Sequence, residues 1–553
     1  MLLGIDVGGT FTDAVLVHGG AILRQAKVPT TRPDPVHGIL HALDKVLDTC
    51  APGQVERVVI SSTIVTNALT EGKLAPVMLA VMPGPGMSVQ GLFPVEPIIA
   101  EGYVDHRGKV ITPAKIANAE LSAFAGERNT AAVSGKFAVR NQKNEEALAA
   151  ILRNSGFKKI FCGSEMSGEL NFVRRTNSAY FSAAVYEKFQ AFAGQIRSSL
   201  KSRSLEAPVQ ILKADGGTMP LAAAEEQPVE AIFTGPAASV LGIQALGAPY
   251  KNAISLDVGG TTTDIAFWQT SLPLMAKRGA EIAAYPTAVR AFHMRSLGLG
   301  GDSRIRRTAE DFLVGPERAG AAMALGGCEP TLSDALITLG RVAFGDYDLA
   351  RKAMASFARP TETAEMAAAM VAAAAAQRIE AAIKEMLHEW SLQPVYTVND
   401  VVRGTDFIPQ LLIGVGGGAP GLVSLLGEKM GLPVEIPPGA MVANAIGAAL
   451  SRPTLTATLR ADTTEGYYMV PEADIRERIP CHFSRAAAEE ILTDLLMCQA
   501  DKWHLRADGV EVISYEEFPT IHNHYSFGSI ISLKMQLKPG ILSAVTGCGE
   551  VVF

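Results

Sequence analysis

The chain is short of the residues that would tie it to several common classes of protein. Its six cysteines, Cys50, Cys162, Cys328, Cys481, Cys498 and Cys548, are spread through 553 residues with no CxxC pair. That spacing argues against a disulfide framework and a zinc knuckle and suits a reduced cytosol. Lysine and arginine runs interleaved with aromatics are missing; the 49 basic residues are scattered, the net charge is −7, and the densest basic cluster is only Arg304, Arg306 and Arg307. No nucleic-acid surface is therefore expected. Long uncharged apolar runs are lacking too. Only Leu2 to Ile5 precede Asp6, too few for a signal peptide, and the most apolar long stretch, Met366 to Ala376, is alanine-rich with Glu and Arg at its flanks. The expectation is a soluble, cytoplasmic protein without a membrane span. With 48% hydrophobic residues over this length, two to four domains are expected.

What the chain does contain is one eight-residue motif, twice. Asp6-Val7-Gly8-Gly9-Thr10-Phe11-Thr12-Asp13 returns as Asp257-Val258-Gly259-Gly260-Thr261-Thr262-Thr263-Asp264, with only Phe11 exchanged for Thr262. Each copy follows an apolar run and precedes a β-rich one, so each reads as strand, tight glycine turn, strand. Paired glycines lack Cβ and can take positive φ, which lets backbone N–H groups approach and converge on an anion, phosphate above all. The threonine hydroxyl adds a donor, and a carboxylate at the head of the turn can hold a magnesium ion through water. A glycine turn kept only for folding would have no reason to bring the same carboxylates and hydroxyls both times.

Between and beyond the two copies, other segments carry weaker signals. Thr63, Thr66 and Asn67 stand where a strand at 58–63 meets a helix, facing a cleft or serving with Ser62 as a helix cap. Arg174-Arg175 opens a long helix to about Leu200 and reads either as an anion contact or as a solvated helix end. Asp215-Gly216-Gly217-Thr218 is a shorter echo of the opening motif, and Phe233 to Ser239 is a glycine turn into a small-residue helix suited to close packing. Leu297 to Ser303 is a glycine loop with a carboxylate, a cleft loop or a plain turn. Thr361 to Trp390 is a long alanine-rich helix with apolar positions suited to burial. Leu411 to Gly421 resembles a dinucleotide fingerprint with Glu435 some twenty residues on, but the further βαβ repeats of such a domain do not follow. His522 and His524 share a strand face, as a metal pair or as an ordinary surface strand end.

In combination these motifs resemble the superfamily of actin, heat-shock chaperone and sugar-kinase ATPases. More closely, DVGGTFTD, ADGGTMPL at 214–221, TGPAASVLG at 234–242 and LDVGGTTTDIA at 256–266 resemble the hydantoinase A / 5-oxoprolinase family over about residues 1–452. The resemblance implies an α/β, two-lobed actin/hexokinase-like ATPase fold of duplicated ribonuclease-H-like domains with an inserted α/β unit and a C-terminal extension. The expected bounds are 1–75 for the first lobe, 76–207 for the insert and its connecting helix, 208–452 for the second lobe and 453–553 for the extension. It also implies ATP and Mg²⁺, with Asp6 and Asp257 at the metal and Asp13 and Asp264 as further catalytic carboxylates or braces of the turns. Gly8, Gly9, Thr10, Thr12, Gly259, Gly260, Thr261 and Thr262 would hold phosphates, with Gly416, Gly417 and Gly418 passing beneath the adenosine. The implied activity is ATP-dependent phosphoryl activation of a carbonyl or cyclic amide of lactam or hydantoin type, as in a hydrolase, with a hydantoinase B-like second subunit. A homo-oligomer is open as well. The family pattern is departed from at 300–304 and in a shorter C-terminal portion, so the resemblance leaves the substrate open. Two other readings stand beside it: a nucleotide-switched activator or chaperone-like ATPase acting on a protein partner, and a dinucleotide oxidoreductase resting on the 414–421 turn.

Overall fold

The computed structural model describes residues 1–31, 36–48, 52–70, 72, 74–117, 121, 129–247, 249–309, 311–392, 407–479, 483–522, 525–547 and 551–552. Each copy of the repeated motif lies between the first two strands of a mixed sheet. Leu2–Val7 runs antiparallel to Phe11–His18, which pairs with Ala21–Pro29; on its other side it runs parallel to Arg57–Ser62. Ala253–Val258 is likewise antiparallel to Thr263–Gln269 and parallel to Leu411–Val415, with Val434–Glu435 beyond. Both first strands are apolar along nearly their whole length because both faces are covered, as central strands with parallel neighbours require. A meander followed by parallel strands, made twice, gives two ribonuclease-H-like lobes of the actin/hexokinase-like type. Each buried Leu, Ile or Phe in their cores contributes about 1.5–3 kcal/mol, so sheet packing and not the polar turns stabilises the lobes.

Strand pairing draws the lobe border elsewhere than at 207/208. Val209–Leu212 lies parallel to Arg57–Ser62 and carries Thr218–Pro220 at its edge, so both belong to the first sheet. The insert returns its chain to the first lobe before the second begins. The echo motif at 215–218 sits in this connection, and its turn is filled by protein: a Cβ on Gly217 would stand 1.8 Å from Thr454 Oγ1, and Asp215 accepts from Gly217 N at 2.8 Å.

Two helices join the lobes. Thr234–Gly247 and Ala443–Leu450 cross in backbone contact: a Cβ on Gly242 would stand 2.1 Å from Ala443 O, and one on Gly447 2.0 Å from Ala238 O. Gly4 meets the second helix as tightly, 2.1 Å from Ala445 O. The small residues at 234–242 are thus packing residues. Thr234 Oγ1 donates to Ser62 O at 2.8 Å and accepts from Ser62 N at 2.9 Å, fixing the first crossing helix to the end of strand Arg57–Ser62.

The helix Ala364–Ser391 buries Ala367, Val371, Ala375, Ile379 and Ile383 in the second core. It is the one helix among the described residues long and apolar enough to cross a membrane. Thr363 caps it, accepting from Met366 N.

The insert is a four-stranded parallel sheet, Val77–Met82, Ile98–Ile99, Thr130–Gly135 and Lys159–Cys162, backed by the helix Phe172–Lys201. Arg175 on that helix neither sits at a solvated end nor faces a cleft. It is fully buried, donates to Gly135 O and Lys136 O at 3.2 and 3.1 Å, and lies in the field of the buried Glu145 carboxylate.

Residues beyond the second crossing helix form a five-stranded sheet under the helix Arg485–Lys502, with its own apolar core around Leu459, Leu492, Leu496 and Leu533. Polar contacts fasten this sheet to the insert. Arg460 donates to Gly168 O at 3.0 Å, Glu472 accepts from Gly168 N at 2.9 Å, Gln142 donates to Pro471 O at 3.1 Å, and Lys534 pairs with Glu169 at 2.5 Å. His524 lies outside the described residues, as does the side chain of His522.

Candidate active site

The two glycine turns face each other. Both are closed by the same bond, Gly8 N to Phe11 O and Gly259 N to Thr262 O, each 3.0 Å. A Cβ on Gly9 would stand 3.1 Å from Thr261 Oγ1, and one on Gly260 2.3 Å from Thr10 Oγ1. Each glycine is therefore opposed by the other turn's threonine. None of Gly8, Gly9, Gly259 and Gly260 has positive φ. What these positions require is the absence of a side chain at a close approach, not an unusual backbone conformation.

Strand register gathers the carboxylates. Asp6 lies opposite Asp13, and Asp257 opposite Asp264, across their hairpins. The two pairs are bridged by Asn444 at the start of the second crossing helix, whose Nδ2 donates to Asp257 Oδ2 at 2.9 Å and to Asp6 Oδ2 at 3.3 Å. Asp13 is engaged by Lys27, at 2.7 and 2.9 Å, so the brace of this carboxylate is a lysine and not the threonines of its turn. Thr12 does not join the site. Alternation along its strand turns it inward, where it is fully buried and shares a hydrogen bond with Thr30 Oγ1 at 3.0 Å, while Thr30 donates to Gly8 O. Thr262 contributes its carbonyl to the turn, as Phe11 does in the first copy.

The third glycine segment closes the floor. Gly416, at φ +87°, leaves room that a Cβ would fill 2.6 Å from Asp257 Oδ1, and Gly418 N donates to Val258 O at 3.1 Å. Gly417 borders open space. The segment that resembles a dinucleotide fingerprint is therefore part of the same crevice as the second turn. The loop Gly300-Gly301-Asp302 lines the crevice as well: Gly301 N and Asp302 N donate to Gly259 O and Gly260 O at 2.9 and 2.7 Å. Asp302 Oδ2 accepts from Thr10 Oγ1 at 2.8 Å, across the gap between the lobes. Thr63, Thr66 and Asn67 do structural work nearby. Ser62 Oγ accepts from Ile64 N, Thr63 donates to Val7 O, Asn67 donates to Thr63, and Thr66 accepts from Phe233 N.

Burial dominates the electrostatics. It pushes the Asp6 carboxyl up to about 7, with the charges of Asp13 and Asp257 adding to the effect and bonds from Ser61 and Asn444 opposing it. Asp264 is also pushed up to about 7, by burial and by Asp257, against a bond from Ser296. Burial raises Asp257 and, outweighing Lys27, Asp13. Asp6 Oδ1 and Asp264 Oδ1 are buried without a hydrogen-bond partner. Unpaired carboxylate oxygens held together at this cost fit a divalent cation. Among the described residues no three His, Cys, Asp or Glu side chains form a complete metal cage. Mg²⁺ keeps several waters and takes the rest of its oxygens from one or two carboxylates and a ligand's phosphates, so Asp6 and Asp257 would be the residues to hold it.

A pH dependence follows. A carboxyl whose folded pKa is raised binds its proton more tightly in the native state, so stability falls as pH rises from about 4, the unfolded value, to about 7. In metal-free buffer the melting temperature is expected to decline over that window. Asp6→Asn is expected to flatten the decline, and added Mg²⁺ is expected to raise melting more at pH 8 than at pH 5. A scan of melting temperature against pH, with EDTA or Mg²⁺, checks all three.

The structure brings together the two turns, the four carboxylates and the glycine floor that the sequence named. Lys27, a single basic residue on a strand, has no local pattern to mark its contact with Asp13.

Comparison with known proteins bears on the family and the fold. A family model described as Hydantoinase/oxoprolinase matches residues 175–457, and one described as Hydantoinase/oxoprolinase N-terminal region matches residues 2–156. Caprolactamase subunit alpha of Pseudomonas jessenii is 26% identical over 482 residues, 79% of this chain and 68% of the relative. Acetophenone carboxylase gamma subunit of Aromatoleum aromaticum is 26% identical over 516 residues, 81% of this chain and 67% of the relative. The nucleotide-free structure of acetone carboxylase, from work on ATP-dependent acetone carboxylation, superposes with a TM-score of 0.68 at 19% identity, over 98% of this chain and 87% of that one. At that identity the likeness is one of fold.

Proposed function

This chain belongs to the hydantoinase/oxoprolinase family, and on that premise we propose that it is an enzyme that uses ATP to activate a carbonyl or amide oxygen of a small substrate by phosphoryl transfer. The observation that carries the reading is the pair of facing turns whose carboxylates are gathered by one asparagine, Asn444. Phosphoryl transfer needs positioning and charge neutralisation more than a strong base, and two opposed backbone cradles offer both.

In this reading Gly8, Gly9 and Thr10 of one lobe and Gly259, Gly260 and Thr261 of the other hold the phosphates, and the open side of Gly417 lies beneath the adenosine. Asp6 and Asp257 hold Mg²⁺, kept in place by Asn444. When bound, the ion neutralises phosphate charge. Lys27 fixes Asp13 beside Asp6 and keeps that carboxylate from drifting into the phosphate site. Rotation of the lobes about the crossed helices excludes water and brings acceptor and terminal phosphate together.

Caprolactam and acetophenone, in the names of the two relatives, have a carbonyl oxygen in common, and we propose a cyclic amide of lactam or hydantoin type as the acceptor here. Both relatives are named as subunits, which supports a second, hydantoinase B-like subunit as partner. A cytoplasmic location, where ATP is supplied, is part of the same proposal. The test is ADP release from Mg-ATP with a panel of lactams, hydantoins and ketones, with and without the partner subunit. At least one is expected to accelerate release about tenfold or more; acceleration by none of them, in either condition, overturns the reading.

A further inference from the structure

Arg318 ends the strand Phe312–Arg318 of the second lobe and reaches the first lobe's glycine turn. Its Nε and Nη2 both donate to a single oxygen, Asp302 Oδ2, at 3.0 and 2.7 Å. Nη2 also donates to Thr10 Oγ1 at 3.2 Å, and Nη1 makes a long 3.4 Å contact with Gly9 O. Asp302 is only 6% exposed and its backbone is bonded to Gly260 O and Ala319 N, whereas the Arg318 side chain is 28% exposed. One edge of the guanidinium is thus held firmly by a fixed carboxylate, and the other edge rests weakly on the very turn whose partner stands opposite.

We infer that Arg318 reads the terminal phosphate of a bound nucleoside triphosphate and stabilises its transfer, an assignment that rests on the nucleotide reading above. A planar guanidinium matches two phosphate oxygens at once, and a contact as long as 3.4 Å to a neutral carbonyl is readily exchanged for two charged ones. Asp302 is the positioning residue. A carboxylate beside two anion cradles would repel phosphate if left bare; paired with Arg318 it is neutralised and sets the plane of the guanidinium. In the transfer, the terminal phosphorus gains a bond to the acceptor oxygen and loses its bond to the bridging oxygen, whose electron pair leaves with ADP. The charge on the terminal oxygens through that exchange is what an arginine supplied by the same chain stabilises. The competing account, a strut that merely ties the lobes together, gives no preference between diphosphate and triphosphate.

Calorimetry with Mg-ADP and Mg-AMP-PNP, together with steady-state ADP release from Mg-ATP, separates the two accounts. Arg318→Ala is expected to leave ADP affinity within about twofold while AMP-PNP affinity falls about tenfold or more, and turnover falls about a thousandfold. Arg318→Lys is expected to recover much of the AMP-PNP affinity but little turnover, because an ammonium is a point charge without the fork. Arg318→Gln, which can still donate to Asp302 Oδ2 but carries no charge, is expected to lose AMP-PNP affinity relative to ADP as Arg318→Ala does and decides the matter even if Arg318→Ala does not fold. An unchanged ratio of AMP-PNP to ADP affinity in Arg318→Ala, or in Arg318→Gln where the first variant is unfolded, overturns the assignment while the nucleotide reading stands. Failure of the unaltered protein to bind either nucleotide overturns both.

Discussion

Asp257→Asn is expected to slow nucleotide-driven turnover by about a hundred- to a thousandfold while leaving the melting temperature at pH 8 unchanged or raised. The substitution keeps volume, and its Oδ can still accept from Asn444, whose bond to Asp257 is 2.9 Å. What it removes is the charge. Asp257 is buried at 7% exposure and its carboxyl is raised above the ordinary range by burial, so the native state bears a cost for ionising it. A residue kept charged for folding would lose stability on neutralisation; one kept charged for a ligand would lose turnover and gain stability. Asp264→Asn is the comparison, since Asp264 faces Asp257 across the hairpin and, unlike it, has an unpartnered buried oxygen. ADP release and a melting scan of both variants decide. A drop in turnover below about threefold for Asp257→Asn would remove this residue from the proposed site.

Gly447→Ala is the substitution expected to cost most stability, about 3 kcal/mol, because overpacking a close crossing cannot be relieved by a side-chain rotation. The added methyl would stand 2.0 Å from Ala238 O and 2.5 Å from Gly242 N, both backbone atoms of the opposing helix. The helices must separate, and Asn444 sits in the first turn of the one that moves, so its bonds to Asp6 and Asp257 lengthen together. Lower melting and lower turnover are expected at once. Gly194→Ala is the control: that position lies within the helix Phe172–Lys201 with no neighbour near the new methyl, and gains about 0.5–1 kcal/mol from helix propensity alone. Melting temperatures of the two variants moving in the same direction would contradict the crossing geometry.

The lobes were legible in the sequence because a repeated motif marks its own position: two identical carboxylate-and-glycine turns, each after an apolar run, require two similar sheets. The helix Ala364–Ser391 was legible from length and composition. Less so was what a residue does once tertiary neighbours are chosen. Thr12 carries the same motif letter in both copies, yet strand alternation buries it, a fact the period of two would have supplied. Arg175 reads as surface from its type and from Arg174 beside it; its buried partner Glu145 is thirty positions away. Strand Val209–Leu212 joins the first sheet after an insert of more than a hundred residues, and parallel pairing leaves no hairpin signal. Arg318 meets Thr10 across 308 positions. Such a contact depends on both lobes being built, and no local pattern announces it.

The fastening of the C-terminal sheet to the insert has a consequence for anyone cutting the chain. Arg460, Glu472, Gln142 and Lys534 make the two units one arm, although more than 250 residues separate them along the sequence. Trimming away the final sheet alone would strip Gly168 of the partners for both its amide and its carbonyl and leave Glu169 without its lysine. A shortened chain therefore has to keep the final sheet together with the insert, whose helix Phe172–Lys201 also packs Phe181, Phe189 and Phe192 into the first lobe's core.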